Sequence, residues 1–244
     1  MSARQPDANV PMVIRGRWSS ALTRPVNLGP TGATPVAATY ADNVDRRATT
    51  VAVVPIRSFV SGKNRLSPVL DATQRERLAR WSAGQVIASL RSFDTLVVSH
   101  DDDVLSWALQ QSCSVLRPEE SGLNAAADAA RHHLRATGIA RMAVVHADLV
   151  RCEDLATVLQ LPGRVIVPDA TCDGTNVLVL PTSSDIVFAY GSGSFRHHLA
   201  ACVSEQSEDP LTVVHHRDLG LDLDTPSDLQ HPRAAPQIME AIKK

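Results

Sequence analysis

Residues 51–66, VAVVPIRSFVSGKNRL, decide how the chain is read. Val51 to Pro55 is a short, almost wholly apolar run, rich in β-branched residues and too short for a helix, which suits a strand buried on both faces. The loop after it places Arg57, Lys63 and Arg65 where the first strand of an α/β domain hands over to a phosphate-binding loop. An amphipathic pattern from Ala72 to Leu90 follows and predicts a helix. Strand, basic loop and helix in that order open a parallel sheet covered by helices.

Working outward, the alternation repeats. Strands are expected at Thr95 to Ser99, Ser114 to Leu116, Met142 to His146, Val165 to Pro168, Asn176 to Leu180 and Thr212 to His215. Helices are expected at Asp103 to Gln111, Asn124 to Thr137, Glu153 to Leu159 and Phe195 to Val203. The pattern predicts an α/β three-layer sandwich with a mainly parallel central sheet, spanning residues 49–230. The ligand crevice of such a sheet lies beyond the carboxyl ends of its strands, where Arg57, His100, Asp148 and Asp169 fall. Residues 1–48 are broken by Pro6, Pro11, Pro25, Pro30 and Pro35 and read as a flexible extension, a solvated tail or an over-long start with Met12 as alternative initiator. Residues 231–244 read as a tail.

The chain has 244 residues, 44% of them apolar and 20% charged, enough for one substantial domain. A net charge of -2 gives no general attraction to nucleic acid or to an anionic membrane, so any phosphate must be bound by local arrangement. No apolar run approaches membrane-spanning length, and the amino terminus lacks the apolar core of a secretory signal. Cys113, Cys152, Cys172 and Cys202 are widely spaced, form no C-x-x-C pair, and read as small buried hydrophobes in a reducing, cytoplasmic setting. The expected partners are small molecules, not nucleic acid or membrane; homo-oligomerisation is left open.

Two acidic segments carry the chemistry: 144–149, VVHADL, and 219–226, LGLDLDTP. Side chains alternate along an extended segment, so Asp222 and Asp224 share a face that Asp148 can join from a neighbouring strand end. Three such carboxylates suit Mg²⁺ and, through it, phosphate oxygens. An aspartate after a strand also serves as a helix cap, and Asp224-Thr225-Pro226 would open a helix well. The loop 55–66 is not a Walker A motif, and no G-x-G-x-x-G turn occurs, but Lys63 and Arg65 can still embrace a polyphosphate. Asn124 is placed to cap a helix or to read a nucleobase or ribose. The segment 191–198, GSGSFRHH, enters a helix with glycines and serines, a natural cradle for phosphate or carboxylate. The pairs His132-His133, His197-His198 and His215-His216 are adjacent residues that do not share a face, and read as packing or surface histidines.

Six stretches in register, VPIRS with KNRL (54–66), GLN (122–124), HADL (146–149), GTN (174–176), GSGSF (191–195) and LDLDTP (221–226), resemble the 2-phospho-L-lactate guanylyltransferase family (CofC, FbiD) of coenzyme F-420 biosynthesis. The resemblance implies a nucleotidyltransferase-like, Rossmann-like fold. It also implies transfer of GMP from GTP to the phosphate of a small phosphorylated carboxylic acid (2-phospho-L-lactate, phosphoenolpyruvate or 3-phosphoglycerate), with release of pyrophosphate. Carried over by position, Asp148, Asp222 and Asp224 would hold Mg²⁺, and Lys63 and Arg65 would sit on the triphosphate. Gly122 and Asn124 would lie near the guanosine, Thr175, Gly191 and Ser194 would hold the acid, and Arg57 stands where the family usually has lysine. Ser192 and Val150 stand where it usually has proline. A molybdopterin or sugar-phosphate nucleotidyltransferase would carry a glycine-rich first loop, which is missing here; a GTP-binding protein without turnover would need fewer charges.

Overall fold

The computed structural model describes residues 12–14, 50–231 and 235–243. Eight strands form one sheet: β1 (Met12–Ile14), β2 (Thr50–Pro55), β3 (Thr95–Val98), β4 (Ser114–Leu116), β5 (Arg141–Val145), β6 (Arg164–Pro168), β7 (Thr175–Pro181) and β8 (Leu211–Val213). Across the sheet they run β1-β8-β6-β7-β5-β2-β3-β4. β2 pairs in parallel with β3 and β5, β3 with β4, and β6 with β8. β7 is reversed between β5 and β6, and β1 is antiparallel to β8. The sheet is therefore mainly parallel, as expected, with β7 the inner exception.

The continuous apolar strands are explained by two covered faces. Ala52 and Val54 of β2, with Ala143 and Val145 of β5, pack toward α1 (Ala72–Ser89), α2 (Asp102–Gln110) and α4 (Leu155–Leu159). Val51, Val53, Met142 and Val144 point the other way, toward α3 (Leu123–Ala136) and α5 (Ser194–Ser204). Helix α1 begins with a reciprocal capping box: Asp71 accepts from the Gln74 N–H at 2.8 Å, and the Gln74 side chain accepts from the Asp71 N–H at 3.0 Å.

A third apolar cluster matters for function. The residues assigned to a tail include helix α6 (Ala235–Lys243), whose Ile238 and Ile242 pack with Leu66, Leu78, Val150 and Leu223. Leu66 follows the basic loop, Val150 follows Asp148, and Leu223 lies between Asp222 and Asp224, so one core anchors all three charged segments. β1 falls within the stretch assigned to the extension; residues 1–11 and 15–49, on which the rest of that expectation rests, lie outside the described residues. All four cysteines are free thiols; Cys113, Cys152 and Cys202 are buried, but Cys172 is exposed, because it sits on a turn with a left-handed backbone (φ 58°) and not in a strand. No helix among the described residues is long and apolar enough to cross a membrane.

Candidate active site

The two acidic segments lie side by side. Leu149 bridges Asp222 in antiparallel fashion, the Leu223 N–H donates to the Asp148 carbonyl at 3.2 Å, and the Val150 N–H donates to the Leu221 carbonyl at 3.3 Å. Leu149 and Leu223 are fully buried and fix this pairing, which brings the acidic side chains to the end of the sheet. One Asp148 oxygen, Oδ1, is buried without a hydrogen-bond partner; the other, Oδ2, lies 3.6 Å from Lys63 Nζ. Burial raises the affinity of Asp148 for a proton, but Lys63, with His146 and hydrogen bonds, outweighs it and holds the carboxyl below the usual carboxylate range. Asp222 has no such cation: burial first, then the Asp148 charge, with Asp169 and Asp228 adding, pushes it up to about 7.

Asp224 pairs with Arg65 through its carboxylate. It does not cap the following turn. Asp228 does so, its Oδ2 accepting from the Asp224 N–H at 2.9 Å, the Thr225 N–H at 2.6 Å and the Thr225 hydroxyl at 2.9 Å. Lys63 itself has a left-handed backbone (φ 55°) and leads into a short 3-10 turn, Asn64–Leu66, pinned by buried Leu66. Its ammonium donates to the Leu223 carbonyl at 2.6 Å.

Between the basic loop and the start of α3 opens a cleft of about 780 Å³, lined by Arg57, Ser58, Ser99, His100, Gly122 and Leu123 among others. Gly122, with φ 114°, is the residue at the start of α3. Asn124 therefore does not cap that helix. Its Oδ1 accepts from the Tyr190 N–H at 2.7 Å, tying the end of the cleft to the loop that bears Gly191.

That loop is the third part of the site. Thr175 and Ser194 are buried at its base, with their hydroxyls 3.5 Å apart. His198 Nε2 accepts from the Ala189 N–H at 3.0 Å, so its proton is on Nδ1, which donates to Thr175 Oγ1 at 3.0 Å. Burial, then the neighbouring His146 and His197, pushes His198 down to about 4, keeping it neutral. The N–H groups expected to lie free at the start of α5 are engaged: Gly193 N–H donates to Asp173 Oδ1 at 3.0 Å, Ser194 N–H to the Gly191 carbonyl at 3.1 Å, and Phe195 N–H to the Asp173 carbonyl at 3.0 Å. Gly193 needs no side chain here, since φ is 73°. Asp169 organises the preceding turn, accepting from the Thr171, Asp173 and Gly174 N–H groups; a Cβ on Gly174 would stand 2.8 Å from Asp169 Oδ2.

The whole unit, residues 50–231, matches the family model described as guanylyl transferase CofC like. The chain belongs to this CofC-like guanylyl transferase family. It is 34% identical over 193 residues to the phosphoenolpyruvate guanylyltransferase of Rubrobacter xylanophilus, covering 75% of this chain and 93% of that one. It is 32% identical over 189 residues to the 2-phospho-L-lactate guanylyltransferase of Methanothermobacter thermautotrophicus, covering 74% of this chain and 82% of that one. Among solved structures, a chain described as a nucleotide-diphospho-sugar transferase from Desulfovibrio desulfuricans superposes with a TM-score of 0.61 at 13% identity, over 80% of this chain and 96% of that one, a likeness of fold.

For this CofC-like chain, the oxygen-only donor set of Asp148, Asp222 and Asp224 suits a hard divalent cation, and the orphaned Asp148 Oδ1 and the raised Asp222 carboxyl both register uncompensated negative charge. Among the described residues, however, no three His, Cys, Asp or Glu side chains stand as a ready-made metal group in this conformation. The histidine pairs hold packing and surface residues: the side chains of His198 as above and of His216 beside Asp154 at 3.1 Å are buried, while His132 beside Asp128 at 3.4 Å is exposed. Sequence reasoning did not find Asp173, Asp228, His198 or Tyr190. Asp173 had one signal, its place directly before the GTN stretch; the other three gain their roles only through contacts made in the fold.

Proposed function

We propose that the chain transfers GMP from GTP to the phosphate of a small phosphorylated carboxylic acid and releases pyrophosphate, as a step of coenzyme F-420 biosynthesis. The observation that carries this reading is the pairing of two acidic segments against Lys63 and Arg65 of the basic loop, whose first residues line a nucleotide-sized cleft. The cleft takes the nucleoside. Lys63 and Arg65 reach the triphosphate, where they stabilise the charge that gathers on departing pyrophosphate. Thr175, Gly191 and Ser194 orient the acid so that an oxygen of its phosphate attacks the α-phosphorus opposite the leaving oxygen. One phosphorus–oxygen bond forms to the acceptor as the bond to the β-phosphate bridge breaks. An ionised phosphate needs no general base, so the chain's work is alignment and charge neutralisation. Mg²⁺ held by Asp148, Asp222 and Asp224 would supply Lewis-acid neutralisation of the two facing phosphates.

Relatives named for phosphoenolpyruvate and for 2-phospho-L-lactate make both acids candidates, with 3-phosphoglycerate of the same chemistry. The test is pyrophosphate release from GTP, ATP, CTP or UTP with each acid and Mg²⁺. Release with GTP and at least one acid is expected; release with none, or equally with all four nucleotides, contradicts the reading.

A further inference from the structure

Two of the carboxylates assigned to a metal lie against cationic side chains. Lys63 Nζ lies 3.6 Å from Asp148 Oδ2 and also donates to the carbonyl of Leu223, the residue between Asp222 and Asp224. Its side chain is only 8% exposed, so the ammonium is set into the site and does not wave above it. Arg65 pairs with Asp224 from the solvent side, its own side chain 74% exposed. The left-handed backbone at Lys63 turns the loop inward at this point.

We propose that Lys63 and Arg65 are built-in counter-ions that compete with a divalent cation for Asp148 and Asp224, so that the cation enters tightly only together with a nucleotide triphosphate. This deepens the guanylyl-transfer reading and rests on it. A metal ion arriving alone at Asp148 would share one carboxylate with a nearby ammonium and be repelled by it. A triphosphate removes that obstacle in two ways. It offers Lys63 and Arg65 new anionic partners, which frees Asp148 and Asp224, and it brings phosphate oxygens that complete the coordination of a hard cation. The coupling is reciprocal: metal must tighten nucleotide by the factor by which nucleotide tightens metal. In the absence of both, Asp148 and Asp224 each keep a cationic partner.

The experiment titrates Mn²⁺ into the full-length protein by electron paramagnetic resonance, with and without a GTP analogue carrying a methylene between the α and β phosphorus, correcting for Mn²⁺ held by the analogue in solution. Wild-type protein is expected to bind Mn²⁺ about tenfold or more tightly when the analogue is present, within the usual range of coupling between two sites. Lys63→Met is expected to tighten Mn²⁺ alone by about tenfold and to weaken the analogue. Arg65→Met, at an exposed position that the fold does not need, is expected to move both in the same direction by less. Equal Mn²⁺ affinity with and without analogue in wild type overturns the proposal, as does unchanged or weaker metal-only binding in both variants. Pyrophosphate release measured on the same preparation separates the two readings: turnover without metal–nucleotide coupling overturns this inference alone, and coupling without turnover overturns guanylyl transfer.

Discussion

At Asp148, burial and charge pull in opposite directions, and the neighbouring Lys63 ammonium decides the outcome. An asparagine there keeps the shape and removes the charge. Asp148→Asn is expected to lower kcat by about a thousandfold or more, the scale of losing a principal electrostatic contact, while circular dichroism and melting stay close to wild type. A variant with full activity would remove Asp148 from the mechanism. Asp228 works differently, through three hydrogen bonds to one carboxylate oxygen. Asp228→Ala should cost about 1–2 kcal/mol in denaturant unfolding, the usual loss for a cap, and should raise KM for GTP as the Asp222–Asp224 segment loosens. His198 gives a pH signature. Its folded-state value of about 4 lies below the unfolded value, so the unfolded chain binds the extra proton as pH falls. Its contribution is complete above about pH 6.5 and is lost toward pH 4, at no more than about 1.4 kcal/mol per unit. Asp222, raised to about 7, contributes a slope of the opposite sign over the same range, so the test is a difference. In urea unfolding between pH 7 and 4.5, His198→Gln should gain less stability with rising pH than wild type, and identical slopes would contradict the neutral His198–Thr175 bond. That the Asp148 segment and the Asp222–Asp224 segment would meet was legible in the sequence, because both follow apolar strand-forming runs. Asp228, Asp173 and His198 were not, because a cap or a buried relay is defined by partners that only the fold brings near.

At the scale of elements, the seven strands from Thr50 onward were readable to within a residue or two, because burial on both faces forces unbroken apolar runs; Val51 to Pro55 and the observed Thr50–Pro55 show this well, whereas β1 was not expected. The reversed direction of β7 was not readable, since an antiparallel inner strand buried on both faces carries the same apolar signature as a parallel one. Helix α6 was missed for another reason. It is short, has Pro236 in its first turn, and gains its stability from Ile238 and Ile242 packing on distant residues. Because that cluster also holds Leu66, Val150 and Leu223, α6 should support activity without touching substrate. Ile238→Ala is expected to cost about 2–4 kcal/mol of stability, as large-to-small core changes do, and to lower kcat/KM at temperatures where the protein is still folded. Loss of stability with unchanged kinetics would show that the cluster does not govern the charged segments.

At the scale of the molecule, the three parts of the site come from separate stretches of chain: the basic loop after β2, the acidic segments after β5 and β8, and the loop around α5. The sheet order puts β5 between β2 and β7, so all three open at one end of the sheet. Family membership and this geometry converge on guanylyl transfer. The most direct measurement is ³¹P nuclear magnetic resonance of a reaction containing the protein, GTP, Mg²⁺ and phosphoenolpyruvate or 2-phospho-L-lactate. The account predicts free pyrophosphate together with a new pair of mutually coupled phosphorus signals, the diphosphate that joins GMP to the acid. GTP left intact with every acid, or cleaved to nucleotide and phosphate with no coupled pair, would contradict it.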